Sequence, residues 1–249
     1  MARRFIVEEK DIKRKNDQEI EIMGNEVKHI QVLRHQVGDE IVVNEYICKI
    51  VQMYPHAILL KNIGRAKEEG VPGIDVTLYM AMLKNDKMDL VVQKATELGV
   101  KKIVPFFSRN VVVKLDEKSR TKRIEKLQKI ANEACKQCGR TDMVSIESFK
   151  ELKEITNDFK EYDVCFVAYE QEKASLYTTI QKLKSFSNIK KIAIIVGAEG
   201  GFDQAEVENL LENKNMNSVS LGTRILRAET AAFNLLSIIM YEFDDKEER

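Results

Sequence analysis

The sequence predicts a two-domain protein: a small all-β module over residues 1–72, then an α/β domain with a mainly parallel sheet over residues 73–249. Three observations carry this reading. Short runs rich in β-branched residues, separated by turn residues, fill the first part of the chain. Beyond a charged break that ends in Val71-Pro72-Gly73, strand-like and helix-like segments alternate, as βαβ units do. Two glycine-bearing turns lie near the carboxyl end, each after a short apolar run, where open α/β sheets hold their ligands.

In the first domain, Ile41-Val42-Val43, residues 46–53 and residues 57–61 read as strands. Gly38-Asp39, Asn44 and Tyr54-Pro55-His56 punctuate them. Short strands at this spacing predict a small barrel, with a short helix over residues 27–35 before the barrel proper. Residues 67–73 read as the linker. In the second domain, strands are expected at residues 74–82, 103–107, 164–168, 192–196 and 219–221. Helices are expected at residues 86–98, 119–137, 175–183, 203–211 and 229–243. Met88, Val91, Val92, Ala95 and Leu98 form one stripe at helical spacing, and Gly99 supplies the stop. The wholly apolar run from Ile192 to Val196 suits the middle of a parallel sheet.

The 249 residues are 44% hydrophobic, enough for a folded core. Forty basic and forty acidic residues give zero formal net charge. That excludes nucleic-acid binding through bulk charge and leaves a local patch as the alternative. Residues 101–140 form such a patch, with twelve Lys/Arg against four Asp/Glu. Cys135 and Cys138 have CxxC spacing, but no second pair or nearby histidine completes a zinc set, and no metal is expected. Cys48 and Cys165 sit in apolar runs, as buried thiols do. No signal peptide is read at the start, and no run approaches the ~20 apolar residues of a membrane span. A cytoplasmic protein without membrane contact is expected.

The first glycine turn is Val196-Gly197-Ala198-Glu199-Gly200-Gly201-Phe202-Asp203. Asp203 and Glu206 form a capping-box pattern with aspartate in place of serine or threonine. Glycines there admit positive φ and a close backbone approach to a ligand. The turn is neither GxGxxG nor a P-loop. The second is Leu221-Gly222-Thr223-Arg224-Ile225-Leu226-Arg227-Ala228-Glu229-Thr230. Two arginines flank an apolar pair, and arginine forks suit carboxylates and phosphates. Glu229 stands in a first helical turn, where the dipole favours it.

Together these turns resemble the GPEGG and LGxRILRxETA signatures of the RsmE family, the 16S rRNA uridine N3-methyltransferases of the SPOUT superfamily. The resemblance extends to Leu83-Lys84-Asn85-Asp86-Lys87-Met88 and Gln93-Lys94-Ala95-Thr96-Glu97-Leu98-Gly99. It continues in residues 108–114, in Glu133-Ala134 with Gln137 and Arg140, and in Val167-Ala168-Tyr169-Glu170. In the first domain, His29-Ile30, Val32-Leu33-Arg34 and Gly38-Asp39 also fit. Ala198 stands where the family usually has proline, Leu127 where many members have tryptophan, and Lys28 where a second histidine is common.

The resemblance implies a SPOUT domain whose carboxyl-terminal segment is tucked into a trefoil knot, preceded by a PUA-like β-barrel that binds RNA. It implies S-adenosyl-L-methionine held by three loops, through Ala168 and Tyr169, through Gly197, Ala198, Glu199, Gly200 and Gly201, and through Leu221, Gly222, Arg224, Ile225 and Leu226. It implies methyl transfer to a uridine of 16S rRNA in the small ribosomal subunit. Arg227 or Arg140 would stabilise charge on the uracil, and Glu229 would orient an arginine. Arg3, Arg4 and Arg34, with Arg109, Lys114 and Arg120 of the basic segment, are the expected RNA contacts. The family works as homodimers, and residues 230–243 are a candidate interface, burial within one subunit being the competing reading. The rival function is a non-catalytic rRNA-binding protein with a degenerate methyltransferase domain. An ordinary Rossmann methyltransferase would carry its glycine turn after the first strand.

Overall fold

The computed structural model describes residues 3–16, 18–67, 69–84, 86–185 and 188–244. Glu68 of the expected linker and Asn85 of the family-like stretch lie outside them. The chain divides into two compact units, Met1–Val71 with Cys135–Met143, and Pro72–Ala134 with Val144–Arg249. Residues 135–143, read from sequence as part of the second domain, thus group with the first.

The first unit holds β1 (Arg4–Phe5), β2 (Ile12–Arg14), β3 (Glu19–Met23), α1 (Asn25–Val32), β4 (Glu40–Val43), β5 (Tyr46–Met53) and β6 (Ala57–Arg65). They form one sheet in the order β1-β4-β5-β6-β3-β2. Only the β1–β4 pairing is parallel. Where a closed barrel was expected, no pairing joins β1 to β2 among the described residues. Phe5, Ile22, Ile30, Ile41, Ile50, Ile58 and Leu60 build its core. The first three strands escape sequence reading because two are very short and β3 alternates glutamate with isoleucine. Asn44 turns the β4–β5 hairpin at φ 53°, and its amide exchanges two hydrogen bonds with the backbone of Val7 (2.9 and 3.0 Å).

The second unit runs β7 (Asp75–Ala81), α2 (Lys87–Glu97), β8 (Lys102–Phe107), α3 (Glu117–Cys138, its last turn counted with the first unit), β9 (Ser145–Ile146), β10 (Lys150–Glu151) and α4 (Leu152–Ile155). There follow β11 (Val164–Ala168), α5 (Leu176–Leu183), β12 (Lys191–Val196), α6 (Gln204–Leu211), β13 (Met216–Val219) and α7 (Ala228–Phe243). Every strand pairing here is parallel, in the order β10-β8-β7-β12-β11-β13 with β9 also on β8. β12 lies between β7 and β11, and its residues from Ile192 to Val196 are buried, as the apolar run predicts. The last strand lies at Met216–Val219 rather than at residues 219–221. Asn217 and Ser218 mask it, because this edge strand carries polar residues between its apolar ones.

α7 packs on α2 and on the sheet at β7 and β12. Its buried stripe of Ala232, Leu235, Leu236 and Ile239 faces its own unit. Ala231, Asn234 and Ile238 are half-buried and Tyr241 is exposed on another face. Burying a leucine stabilises a fold by about 1.5–3 kcal/mol, and truncation adds a cavity cost. Leu236 is fully buried. Leu236→Ala is therefore expected to lose about 2–5 kcal/mol of stability. Urea unfolding should show a lower midpoint with an unchanged slope.

Candidate active site

The parallel register brings the carboxyl ends of β12, β11 and β13 side by side. The chain leaves each through a loop, and the three loops bound one cavity of about 750 Å³. That lies within the size range of small-molecule sites. All twelve residues expected to hold a cofactor line it, as does Arg227. So do Lys87, Glu170 and Ser220, to which the sequence alone assigned no role.

Each loop has a local reason for its shape. After β12, Gly201 takes φ 66°, and a Cβ there would meet the Glu170 carboxylate at 2.8 Å. A Cβ at Gly200 would meet Asn110 Cβ at 2.9 Å. Asn110 uses that proximity, since its amide donates to the Gly200 carbonyl at 3.1 Å. The turn then enters α6 through the expected capping box. The Asp203 carboxylate accepts from Ala205 N–H (3.0 Å), and Asp203 N–H donates to Glu206 (3.0 Å). After β13, Ser220 N–H donates to the Ala174 carbonyl (2.8 Å) and Leu176 N–H donates to that of Ser220 (3.1 Å). That pairing fixes the start of the third loop against the segment entering α5. Arg227 then N-caps α7, which begins one residue before Glu229.

The cavity mixes apolar wall with paired charge. Burial opposes ionisation of Glu199, but a backbone N–H and the Lys87 ammonium outweigh it and hold the carboxyl below the usual carboxylate range. Tyr169 carries a buried hydroxyl with no hydrogen-bond partner among the described residues. Burial pushes its phenol pKa upward, and the Glu170 charge adds to this. Ile225 lines the cavity while 89% exposed.

Not every expected residue joins this site. Arg140 is 2% exposed in the first unit, where Asp142 accepts from its Nε (2.8 Å) and Nη2 (2.7 Å). Burial works against its charge and Asp142 restores it. A guanidinium committed this way supplies structure, and it does not line the cavity. Glu229 is buried, and its printed ionic neighbour is Lys87 rather than an arginine. Of the expected RNA contacts, Arg3, Arg34 and Lys114 are exposed. Arg4 has a buried Nη1 without a hydrogen bond, and burial lowers its pKa. Arg120 lies over the Phe107 ring at 4.4 Å and beside Glu151. Arg109 clamps the capping box: its side chain donates to Asp203 and its backbone to Glu206, both at 2.8 Å. Cys48, Cys135 and Cys165 are buried and Cys138 is exposed. Burial pushes the Cys48 thiol pKa up to about 11.

A mainly parallel α/β unit with a three-loop cavity at its strand ends is a ligand-binding enzyme fold, and comparison with known proteins specifies it. Residues 71–240 match the family described as an RNA methyltransferase domain. The chain is 32% identical over 231 residues to ribosomal RNA small subunit methyltransferase E of Bacillus subtilis, covering 89% of each. It is 32% identical over 220 residues to the protein of that name from Aquifex aeolicus, covering 86% of this chain and 91% of that one. The fold is shared with the crystal structure of a ribosomal RNA small subunit methyltransferase E from Neisseria gonorrhoeae bound to S-adenosyl methionine. The TM-score is 0.78, with 22% identity over 97% of this chain and 98% of that one. The chain belongs to the ribosomal RNA small subunit methyltransferase E family.

The capping geometry makes a pH-dependent prediction. The Ala205 backbone N–H and then Arg109 hold Asp203 below its ordinary pKa of 3.8. A carboxylate depressed by folding stabilises above its unfolded pKa and loses that contribution as pH falls through the folded value. Wild type should melt above Asp203→Asn by a constant margin at neutral pH. That margin should shrink below about pH 4, where the unfolded carboxyl takes up its proton. Thermal melts across that range check it.

Proposed function

We propose that this protein transfers a methyl group from S-adenosylmethionine to N3 of a specific uridine in 16S rRNA of the small ribosomal subunit. The observation that carries the reading is the cavity bounded by three loops, whose glycines leave no room for side chains. The residues fit that cofactor. Gly200 and Gly201 sit where a Cβ would collide with Asn110 and Glu170, so backbone lines this edge. Gly222, at φ 117°, opens the facing edge with nothing near its missing Cβ. Leu221 and Leu226 supply apolar wall, and the unpartnered Tyr169 hydroxyl offers a polar contact. Bound there, the cofactor supplies a methyl already activated by a sulfonium.

The chain's own residues have the remaining work. Uracil N3 loses its proton, and negative charge spreads onto the carbonyl oxygens. Arg227, exposed at the cavity and at the head of α7, is the group proposed to stabilise that charge. Glu229 holds the helix start with Lys87.

The wider reading follows the family. The bridge between Ser175 and Ser220, which pairs the third loop with the segment entering α5, suits a trefoil-knotted SPOUT arrangement. The first unit is read as PUA-like and RNA-binding, with Arg3 and Arg34 exposed. Lys118, Lys122 and Lys129 repeat at helical spacing on the exposed face of α3 and, with Lys114, suit RNA phosphates. A homodimer is supported by the exposed Ile225 and Tyr241, apolar surface that a second copy would cover. Among the described residues no helix is long and apolar enough to cross a membrane. A cytoplasmic setting follows from the ribosomal substrate. The rival is a non-catalytic rRNA-binding protein, and it predicts no cofactor binding.

The test is methyl transfer from labelled S-adenosylmethionine to small subunits lacking the modification, with mass mapping of the product. One N3-methylated uridine is expected. Transfer to another base or atom, or none with cofactor still bound, overturns the substrate assignment. Arg227→Ala should lower turnover by about 10²–10³-fold with cofactor affinity retained. Replacing Lys118, Lys122 and Lys129 with glutamine should weaken RNA binding and flatten its salt dependence by nearly one log–log unit per lost contact, as binding titrations at several salt concentrations would show.

A further inference from the structure

Lys87 opens α2, the helix that follows the first strand of the second unit. A lysine there faces the positive end of the helix dipole, so α2 itself gains nothing from it. Its surroundings account for it. The ammonium lies 3.2 Å from Glu199 Oε1 and 3.7 Å from Glu229 Oε2. Glu199 belongs to the turn after β12, and its Oε1 also lies 3.4 Å from the backbone N–H of Lys84. Glu229 belongs to the first turn of α7, is 8% exposed, and its Oε2 makes no hydrogen bond. A carboxylate buried that deeply is costly without an opposite charge. One cation thus joins two of the three segments that bound the cavity, and it lines the cavity itself.

We propose that Lys87 is a positioning residue for the cofactor cavity, bridging Glu199 and Glu229 so that the 197–201 turn and the head of α7, with Arg227, are held in one fixed relation. The inference rests on the reading of the cavity as an S-adenosylmethionine site. Lys87 acts through the two glutamates and takes no part in the chemistry.

The experiment measures S-adenosylmethionine affinity by calorimetry, alongside kcat and KM, for wild type, Lys87→Met and Lys87→Arg. Lys87→Met keeps length and removes charge. It is expected to weaken cofactor binding roughly tenfold, within the range of couplings carried through ion-pair networks, with kcat falling as well. Lys87→Arg, which keeps the charge, should restore most of both. In a double-mutant cycle, adding Glu199→Gln to Lys87→Met should cost little more than Lys87→Met alone. Cofactor affinity of Lys87→Met equal to wild type overturns the proposal, as do fully additive losses in the double variant. If melting shows that Lys87→Met does not fold, Glu199→Gln and Glu229→Gln carry the test, since each removes one end of the bridge. Both must then weaken binding, and wild-type affinity in either overturns the proposal. A wild type that binds no cofactor would instead overturn the reading of the cavity.

Discussion

The placement of β12 between β7 and β11 is the constraint on which the rest of the second unit depends. Its backbone is paired on both sides and its residues from Ile192 to Val196 are buried, so its carboxyl end cannot shift without breaking two ladders. The turn at residues 197–201 inherits that fixity. Glycine supplies the bend, Asn110 and Arg109 hold it from the loop after β8, and the α6 capping box closes it. The other two loops leave the neighbouring strands β11 and β13 and meet it there. A cavity assembled this way needs few dedicated side chains, because the sheet sets the positions and the loops supply backbone.

Charge is used sparingly and mostly inside the molecule. The basic segment that stands out in the sequence is largely committed in the fold. Arg123 and Lys126 meet Asp89, Arg109 meets Asp203, and Arg140 is enclosed by Asp142. What remains outward is a narrower face of α3 lysines. A run of like charge counted along a sequence therefore overstates what a nucleic acid would meet, since carboxylates distant in sequence neutralise part of it in space. Surface pairs of this kind add little stability each. Their effect here is to orient loops and helix ends.

Much of the second unit was legible because its signals are strong and local. The apolar run of β12, the α2 stripe ending in Gly99, and the Asp203–Glu206 box each name their structure from a few adjacent residues. The edge elements were not legible. β9 and β10 are two residues each, and β13 interleaves polar residues. In the first unit the very short β1 and β2 left the sheet under-read. The residues of the three loops were readable as a set because the glycine turns and the family-like stretches surround them. Lys87 and Asn110 were not readable as parts of that site, since their partners lie far along the chain. Arg140 misled for the complementary reason. A conspicuous arginine gives no local hint that an aspartate two residues on will enclose it.

The backbone-lined edge of the cavity has a consequence for how such a protein can diverge. Where walls are peptide groups rather than side chains, single substitutions have little to act on, and those at the crowded glycines distort the turn. Sequence can then drift widely around a conserved shape, and a switch in ligand preference would have to come through insertions, deletions or altered loop paths.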